Sequence, residues 1–212
     1  KNQPQGSATL KGAQFTVKFY DGNYSKDPKD SGKKPLRTWV FETDKDGYCK
    51  YDAKYKVSGD ALYTTAKGIS ALPLGTVTIQ ETKAPEGYLL NSKVYVKQIT
   101  ASGTAETVKT YSQPIVPENI LKLELVKVQE GTDIKIPGAV FEHTKPDGSK
   151  ARLTTDQNGA LTIKGLTHGV HKLQEVSVMD GYVVNNNLVE FKVGTDNRIT
   201  LTSKANDSVG KI

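Results

Sequence analysis

The sequence predicts an all-β protein made of two tandem β-sandwich domains. Helical periodicity is nearly absent from the 212 residues, whereas short runs of alternating apolar and polar residues recur between turn residues, a pattern typical of sandwiches and barrels. One spaced pattern also occurs twice: a glycine, five residues, a glutamate, five residues and Gly-Tyr. It runs from Gly75 through Glu81 to Gly87-Tyr88, and again from Gly169 through Glu175 to Gly181-Tyr182. Two related modules therefore account for most of the chain.

The alternating runs predict individual strands. Phe15, Val17 and Phe19 would share one face of a strand in the first module, because successive side chains of a strand point to opposite faces. Val77 and Ile79 alternate with polar residues on the approach to Glu81. In the second module the predicted strands cover residues 121–128, 189–193 and 199–201, and Asp147-Gly148 and Asn158-Gly159 predict turns between strands.

The domain boundary is predicted in a short linker with two prolines, residues 113–119, since such a segment supports neither alternation nor a helix. The two domains would then cover residues 1–116 and 117–212. The first module is longer than the second, and its extra residues, chiefly 20–34 and 54–67, are expected to form enlarged loops. Binding sites often lie on loops, although a solvated elaboration explains these two equally well.

The charge pattern argues against a nucleic-acid partner. The net charge is +6, but 29 basic residues are interleaved with 23 acidic ones, which indicates a solvated surface of mixed charge. The chain also has no apolar run of the roughly 20 residues that a membrane-spanning helix needs. We therefore expect neither nucleic-acid binding nor membrane contact in this stretch of chain.

The residues that usually carry catalysis or bind metals form no convincing set. Cys49 is the one cysteine, so an intramolecular disulfide is excluded, and no glutamine motif accompanies it as a thioester would require. His168 and His171 lack a third metal ligand. With no nucleophile–base pair and no phosphate loop, the sequence predicts no metal, no cofactor and no enzyme.

A family resemblance rests on three shared landmarks. They are Gly-Ala-x-Phe at 12–15 and 138–141, Thr-Asp-x-x-Gly at 43–47 and 155–159, and the segment ETKAPEGY at 81–88. Together they resemble the B-type repeats of Gram-positive collagen adhesins and the related domains of sortase-assembled pilins. The resemblance implies immunoglobulin-like or transthyretin-like (prealbumin-like) β-sandwiches. In many members it also implies a spontaneous isopeptide bond between a first-strand lysine and a last-strand asparagine or aspartate, assisted by the motif glutamate.

In the second domain the resemblance assigns all three partners of such a bond. Lys127 lies on the opening strand, Glu175 is the motif acid, and Asn206 follows the final strand, with Asp207 as the alternative acceptor. In such a site burial would disfavour the charged forms of both the amine and the acid. The neutral amine would attack, and the glutamic acid would polarise the amide and shuttle protons.

In the first domain the resemblance assigns the partners less directly. Glu81 is the motif acid. Lys1 has the same offset from Gly12 as Lys127 has from Gly138, although a lysine upstream of this stretch is the alternative. Asn119 is the candidate acceptor, and Ser112 stands where an asparagine or aspartate is otherwise expected.

These observations predict a stalk or spacer of a cell-wall-anchored, extracellular surface protein or pilin-like adhesin. Its partners would be neighbouring domains of the same protein, and its signal peptide and anchor would lie outside this stretch. The alternative is an adhesin module that contacts a host matrix protein or glycan through the enlarged loops of the first domain.

Overall fold

A computed structural model describes residues 9–100 and 116–202. Their contacts divide them into two compact units, one with residues 9–85, 89–100 and 116–119 and the other with residues 86–88 and 120–202. Both are built from β-strands, which confirms the predicted all-β class. No helix in the described ranges is long and apolar enough to cross a membrane.

The first unit is organised around a five-stranded antiparallel sheet in the order β3-β2-β1-β4-β6. A 3-10 helix at Pro28–Ser31 lies within the predicted loop 20–34. The strands of the five-stranded sheet are β1 (Gln14–Tyr20), β2 (Arg37–Glu42), β3 (Lys56–Gly59), β4 (Gly75–Lys83) and β6 (Val94–Ile99). Two short strands, β5 (Tyr88–Leu89) and β7 (Asn119–Ile120), pair with each other.

One face of this sheet carries the core of the first unit. Its buried members come from β1, β2, β4 and β6, namely Val17, Phe19, Trp39, Phe41, Val77 and Ile99. Side chains of the 43–74 segment cover them, among them Tyr51, Tyr55, Leu62 and Tyr63. The predicted enlarged loop at 54–67 therefore contains a strand, β3, at residues 56–59, and three of its side chains, Tyr55, Leu62 and Tyr63, pack on the core.

The second unit has a five-stranded antiparallel sheet and a two-stranded one. Their orders are β10-β9-β12-β13-β14 and β11-β8. The strands are β8 (Lys122–Val126), β9 (Val140–Thr144), β10 (Lys150–Thr154), β11 (Ala160–Lys164), β12 (Gly169–Ser177), β13 (Val189–Val193) and β14 (Ile199–Leu201). The predicted strands at 121–128, 189–193 and 199–201 are thus confirmed.

The apolar core of the second unit is formed by residues of both of its sheets. From β8 and β11 come Leu123, Leu161 and Ile163, and from the larger sheet come Phe141, Leu173, Phe191 and Val193. Leu173 and Phe191 are at most 1% exposed. This face-to-face burial is the expected architecture of a β-sandwich.

Candidate cross-linking site

The motif glutamate occupies the same structural position in both units. In β4, Glu81 pairs with Phe15 of β1, and in β12, Glu175 pairs with Phe141 of β9. Each strand has a β-bulge directly after the glutamate, and a bulge redirects side chains. Both glutamates point inward and are almost fully buried, at 1% and 3% exposure.

A backbone amide ten residues further along holds each glutamate. The N–H of Asn91 donates to Oε2 of Glu81 at 2.6 Å, and the N–H of Asn185 donates to Oε2 of Glu175 at 2.6 Å. The chain reaches these amides by turning at Gly87 and Gly181, both of which have positive φ. This geometry accounts for the Gly-Tyr end of the repeated pattern.

In the second unit the predicted lysine contacts the predicted glutamate. Nζ of Lys127 donates to Oε2 of Glu175 at 3.1 Å, and the lysine side chain is only 16% exposed. The other carboxyl oxygen, Oε1 of Glu175, is buried with no hydrogen-bond partner within the described part of the chain. A buried polar atom without a partner is costly, so this oxygen is positioned to bind a further donor.

The Thr-Asp-x-x-Gly landmark fixes the backbone of Lys127. The Lys127 N–H donates to the carbonyl of Gly159 at 2.8 Å, and the Lys127 carbonyl accepts from the Ile136 N–H at 2.9 Å. Thr155 of the same landmark donates through Oγ1 to the carbonyl of Ile136 at 3.0 Å. The lysine is therefore held by backbone contacts on both sides, although it lies just beyond the end of β8.

The lysine and glutamate line a cavity of about 1320 Å³ in the second unit. Apolar side chains form much of its wall, including Leu123, Leu125, Phe141, Leu173 and Leu201. The backbone of β8 borders the cavity and is paired on one side, with β11. Among the described strands, nothing pairs with the other side of β8, and a strand edge of this kind can accept another strand.

In the first unit the motif glutamate lies next to a second carboxyl group, that of Glu118. The side chains of Glu81 and Glu118 hydrogen-bond each other, which requires a proton on one of them because carboxylates only accept. Burial first, and then the charge of Glu81, raises the pKa of Glu118 to about 8. Burial likewise raises the pKa of Glu81. At neutral pH the pair therefore retains a proton.

A family model decides what these two units are. The model of the SpaA prealbumin-like fold domain matches residues 1–114 and 121–207, once for each unit. The chain belongs to this SpaA prealbumin-like family. Membership confirms the predicted kind of sandwich, and it agrees with the expectation of a structural protein rather than an enzyme.

Three solved structures show more distant similarity to the two prealbumin-like domains. The Bacillus anthracis TIE protein is 22% identical over 90% of this chain and 30% of its own, with a TM-score of 0.42. A C-terminal fragment of the pilus adhesin SpaC from Lactobacillus rhamnosus GG is 18% identical over 97% of this chain and 84% of its own, at 0.44. The shaft pilin SpaA from the same organism is 17% identical over 89% and 84%, at 0.32. No curated protein matches significantly.

The chain spans less than a third of the length of the TIE protein that it matches. Similarity at this level carries no functional conclusion.

The structure brings together only some of the predicted site residues of the prealbumin-like domains. Lys127 and Glu175 are in contact, whereas Asn206 and Lys1 lie outside the described residues. Asn119 is exposed in β7, and the neighbouring Glu118 is the residue that contacts Glu81. Cys49 packs against the first core, and burial raises the pKa of its thiol to about 11, so it is not a reactive thiolate.

Sequence reasoning missed two pairs of titratable residues in these domains, one partly buried and one fully buried. One is Glu81 with Glu118, in which the glutamate that precedes Asn119 turns inward. The other is His143 with His171, whose rings approach to 2.9 Å between Nε2 and Nδ1. Alternation could have placed both histidines inside, since each occupies an inward position of its strand. No group of three or more metal-binding side chains occurs among the described residues.

Proposed function

We propose that this chain is a load-bearing part of a pilin-type, extracellular surface protein of a Gram-positive bacterium. In this proposal the second domain is locked by an isopeptide bond between Lys127 and Asn206. The observation that carries it is the contact between the Lys127 amine and the buried Glu175 carboxyl at 3.1 Å. Family membership supports the structural role, and neighbouring domains of the same surface protein are the proposed partners.

The surroundings of Glu175 support a role in chemistry beyond an ion pair. A buried lysine–glutamate pair is costly to desolvate and contributes little net stability. Stability therefore does not explain this pair, and the cavity beside it leaves room for a third group. One carboxyl oxygen is already bonded to Lys127 and Asn185, while Oε1 has no partner in the described structure. An incoming carboxamide can supply that donor through its NH₂ group while its carbonyl carbon faces the amine.

The position of Asn206 in the chain is compatible with reaching this amine. Asn206 follows the end of β14 at Leu201 by about five residues, and an extended segment of that length spans roughly 16 Å. Leu201 itself lines the cavity together with Lys127 and Glu175. A strand added along the edge of β8 would cover the apolar wall and bring the carboxamide to the pair.

The proposed reaction balances without a cofactor. The Lys127 amine attacks the side-chain carbonyl carbon of Asn206, a C–N bond forms, and the amide nitrogen leaves as ammonia. Glu175 accepts a proton from the attacking amine and passes it to the leaving nitrogen. Each molecule reacts once, so the step is a self-modification.

The bond would stabilise the domain through loop closure and under force. Joining residues 127 and 206 closes a loop of about 80 residues, for which the chain-entropy estimate gives on the order of 4–5 kcal/mol. An amide cannot be reduced as a disulfide can. A domain whose first and last strands are joined in this way cannot be pulled out into an extended chain.

Intact-mass measurement of the 212-residue chain tests the proposal, followed by tandem mass spectrometry of its peptides. We expect the loss of one ammonia and a branched peptide that joins Lys127 to Asn206. Lys127→Arg should abolish the ammonia loss, whereas Lys122→Arg, a change at an exposed lysine of the neighbouring β8, should not. A folded second domain with unmodified Lys127 and Asn206 peptides would overturn the proposal.

A further inference from the structure

An asparagine ten residues after the motif glutamate is shared by the two domains. The repeated pattern extends beyond Gly-Tyr by two residues and an asparagine, which is Asn91 in the first domain and Asn185 in the second. In each domain the backbone N–H of this asparagine donates to the motif glutamate at 2.6 Å. Every residue except proline can supply a backbone N–H, so this bond alone does not explain why the residue is an asparagine both times.

The side chain of this asparagine closes a turn in both domains. Oδ1 of Asn185 accepts from the N–H of Asn187 at 3.0 Å, and Oδ1 of Asn91 accepts from the N–H of Lys93 at 3.1 Å. This is an Asx turn, which asparagine and aspartate form readily and serine forms more weakly. The turn restrains the backbone at the residue whose N–H binds the glutamate.

In the second domain this restraint acts on the orientation of the Glu175 carboxyl group. Oε2 accepts from the Asn185 N–H at 2.6 Å and from the Lys127 amine at 3.1 Å, whereas Oε1 is buried with no hydrogen-bond partner in the described part of the chain. The last side-chain torsion of a glutamate is broad, so the carboxyl group can rotate unless a bond holds it. The short bond from a restrained N–H fixes which oxygen faces the amine and which remains available.

We propose that Asn185 is a positioning residue of the cross-linking reaction and acts through Glu175. Its side chain closes the turn, and the turn holds the N–H on Oε2. The carboxyl group is thereby presented with one oxygen to the Lys127 amine and the other to the acceptor. Asn185 lines the same cavity as Lys127 and Glu175. The inference rests on the proposed Lys127–Asn206 reaction and adds a residue on which its rate depends.

The rate of bond formation in the 212-residue chain tests this inference. Cell-free synthesis, with samples denatured at successive times and weighed by intact mass, gives the fraction of chains that have lost ammonia. We expect Asn185→Ala to slow this loss roughly ten- to a hundredfold, because a misplacement of about 1 Å can cost about a hundredfold in rate. Asn185→Asp and Asn185→Ser can close the turn and should recover part of the rate. Asn186→Ala, a change at the exposed neighbour, should match the wild type.

A second measurement separates positioning from folding. No bond can form in the Lys127→Arg background, so urea unfolding there, followed by the amide NMR signals of the second domain, gives the folded fraction of each Asn185 variant. A positioning role requires the rate in Asn185→Ala to fall by a larger factor than the folded fraction does. A loss of rate that the folded fraction fully accounts for would overturn the inference.

The outcomes also separate this inference from the proposed function. Equal rates for Asn185→Ala and Asn186→Ala would overturn the inference alone, provided that Lys127 and Asn206 still become joined. Recovery in neither Asn185→Asp nor Asn185→Ser would do the same, since both can close the turn. A wild-type chain that folds and loses no ammonia would overturn both proposals.

Discussion

At the scale of single residues, the buried histidine pair of the second domain sets a limit on acid stability. Nε2 of His171 lies 2.8 Å from the carbonyl of Thr167, which can only accept, so this nitrogen carries the proton. Nδ1 of His171 must then accept from Nε2–H of His143. Both rings are neutral in this arrangement, and they stack in turn on Phe191.

Acid should therefore destabilise the second domain. Burial first, then His171 and Lys145, lowers the pKa of His143 to about 4, and burial also lowers that of His171. An unfolded histidine binds a proton near pH 6.5, so stability is full above that value and falls as the pH drops towards 4. We expect the free energy of unfolding of the second domain to fall by about 2 kcal/mol across this range. Urea unfolding curves recorded at several pH values would measure this change.

A matched pair of variants isolates the histidine effect. His143→Gln keeps a donor for His171 but cannot titrate, so the fall in stability between pH 6.5 and 4 should become smaller and retain only the contribution of His171. His168→Gln changes the one histidine outside the pair and should leave the slope largely intact. Equal slopes for the wild type and His143→Gln would contradict this account.

At the scale of elements, the turn between β10 and β11 determines where the lysine lies. Gly159 has a φ of 67°, and a Cβ there would come within 2.8 Å of the Lys127 carbonyl oxygen. Because the Gly159 carbonyl binds the Lys127 N–H, the turn and the lysine cannot move apart without losing a backbone hydrogen bond. The Thr-Asp-x-x-Gly pattern is thus part of the support of the site.

Gly159→Ala should consequently lower the free energy of unfolding of the second domain much more than Gly148→Ala does. Gly148, in the turn between β9 and β10, also has a positive φ of 81°, but a Cβ there meets nothing within 4 Å. We expect Gly148→Ala to lower the free energy of unfolding by about 1 kcal/mol, from the left-handed backbone alone. Gly159→Ala should lower it by about 3 kcal/mol, because the close contact adds to the backbone strain, and should also reduce the yield of the Lys127 bond. Denaturant unfolding and intact mass would measure the two effects, and equal costs would disprove the role of the close contact.

The long insertion of the first domain also acts as a structural element. Tyr63 packs edge-to-face on Phe19 and Trp39, with ring centroids 5.3 and 6.0 Å apart, and Arg37 lies 3.7 Å above its ring. Tyr51 contacts Trp39 from the same segment. The segment 43–74 therefore completes the core, and a ligand-binding role for it would have to use its exposed residues, such as 57–61 and 64–69, rather than these tyrosines.

At the scale of the whole molecule, the proposed Lys127–Asn206 bond predicts the response to force. Pulling on the ends of the chain should not release the roughly 80 residues enclosed by the bond, which would otherwise contribute about 270 Å of extended length. Single-molecule stretching should show this length only in the Lys127→Arg variant, and reducing agents should not change the wild-type trace. Full extension of the cross-linked protein would contradict a load-bearing role.

Much of the architecture and one half of the site were predictable from sequence. Alternation located β1, β8, β13 and β14, because a strand with one buried face imposes a period of two on its residues. The repeated spacing identified Glu81 and Glu175, since the turn glycine, the bulge and the holding amide all lie within one hairpin. The resemblance to a known family then assigned Lys127, which the structure brings to Glu175.

Local spacing determined these features, whereas contacts between distant segments determined the rest. The inward turn of Glu118 towards Glu81 depends on Asn91 binding both Glu81 and Pro117, and the histidine pair depends on the register of β9 against β12. The covering of Trp39 by Tyr51 and Tyr63 likewise needs the folded insertion. Sequence periodicity records which face a residue occupies, but only tertiary packing decides which buried group it meets there.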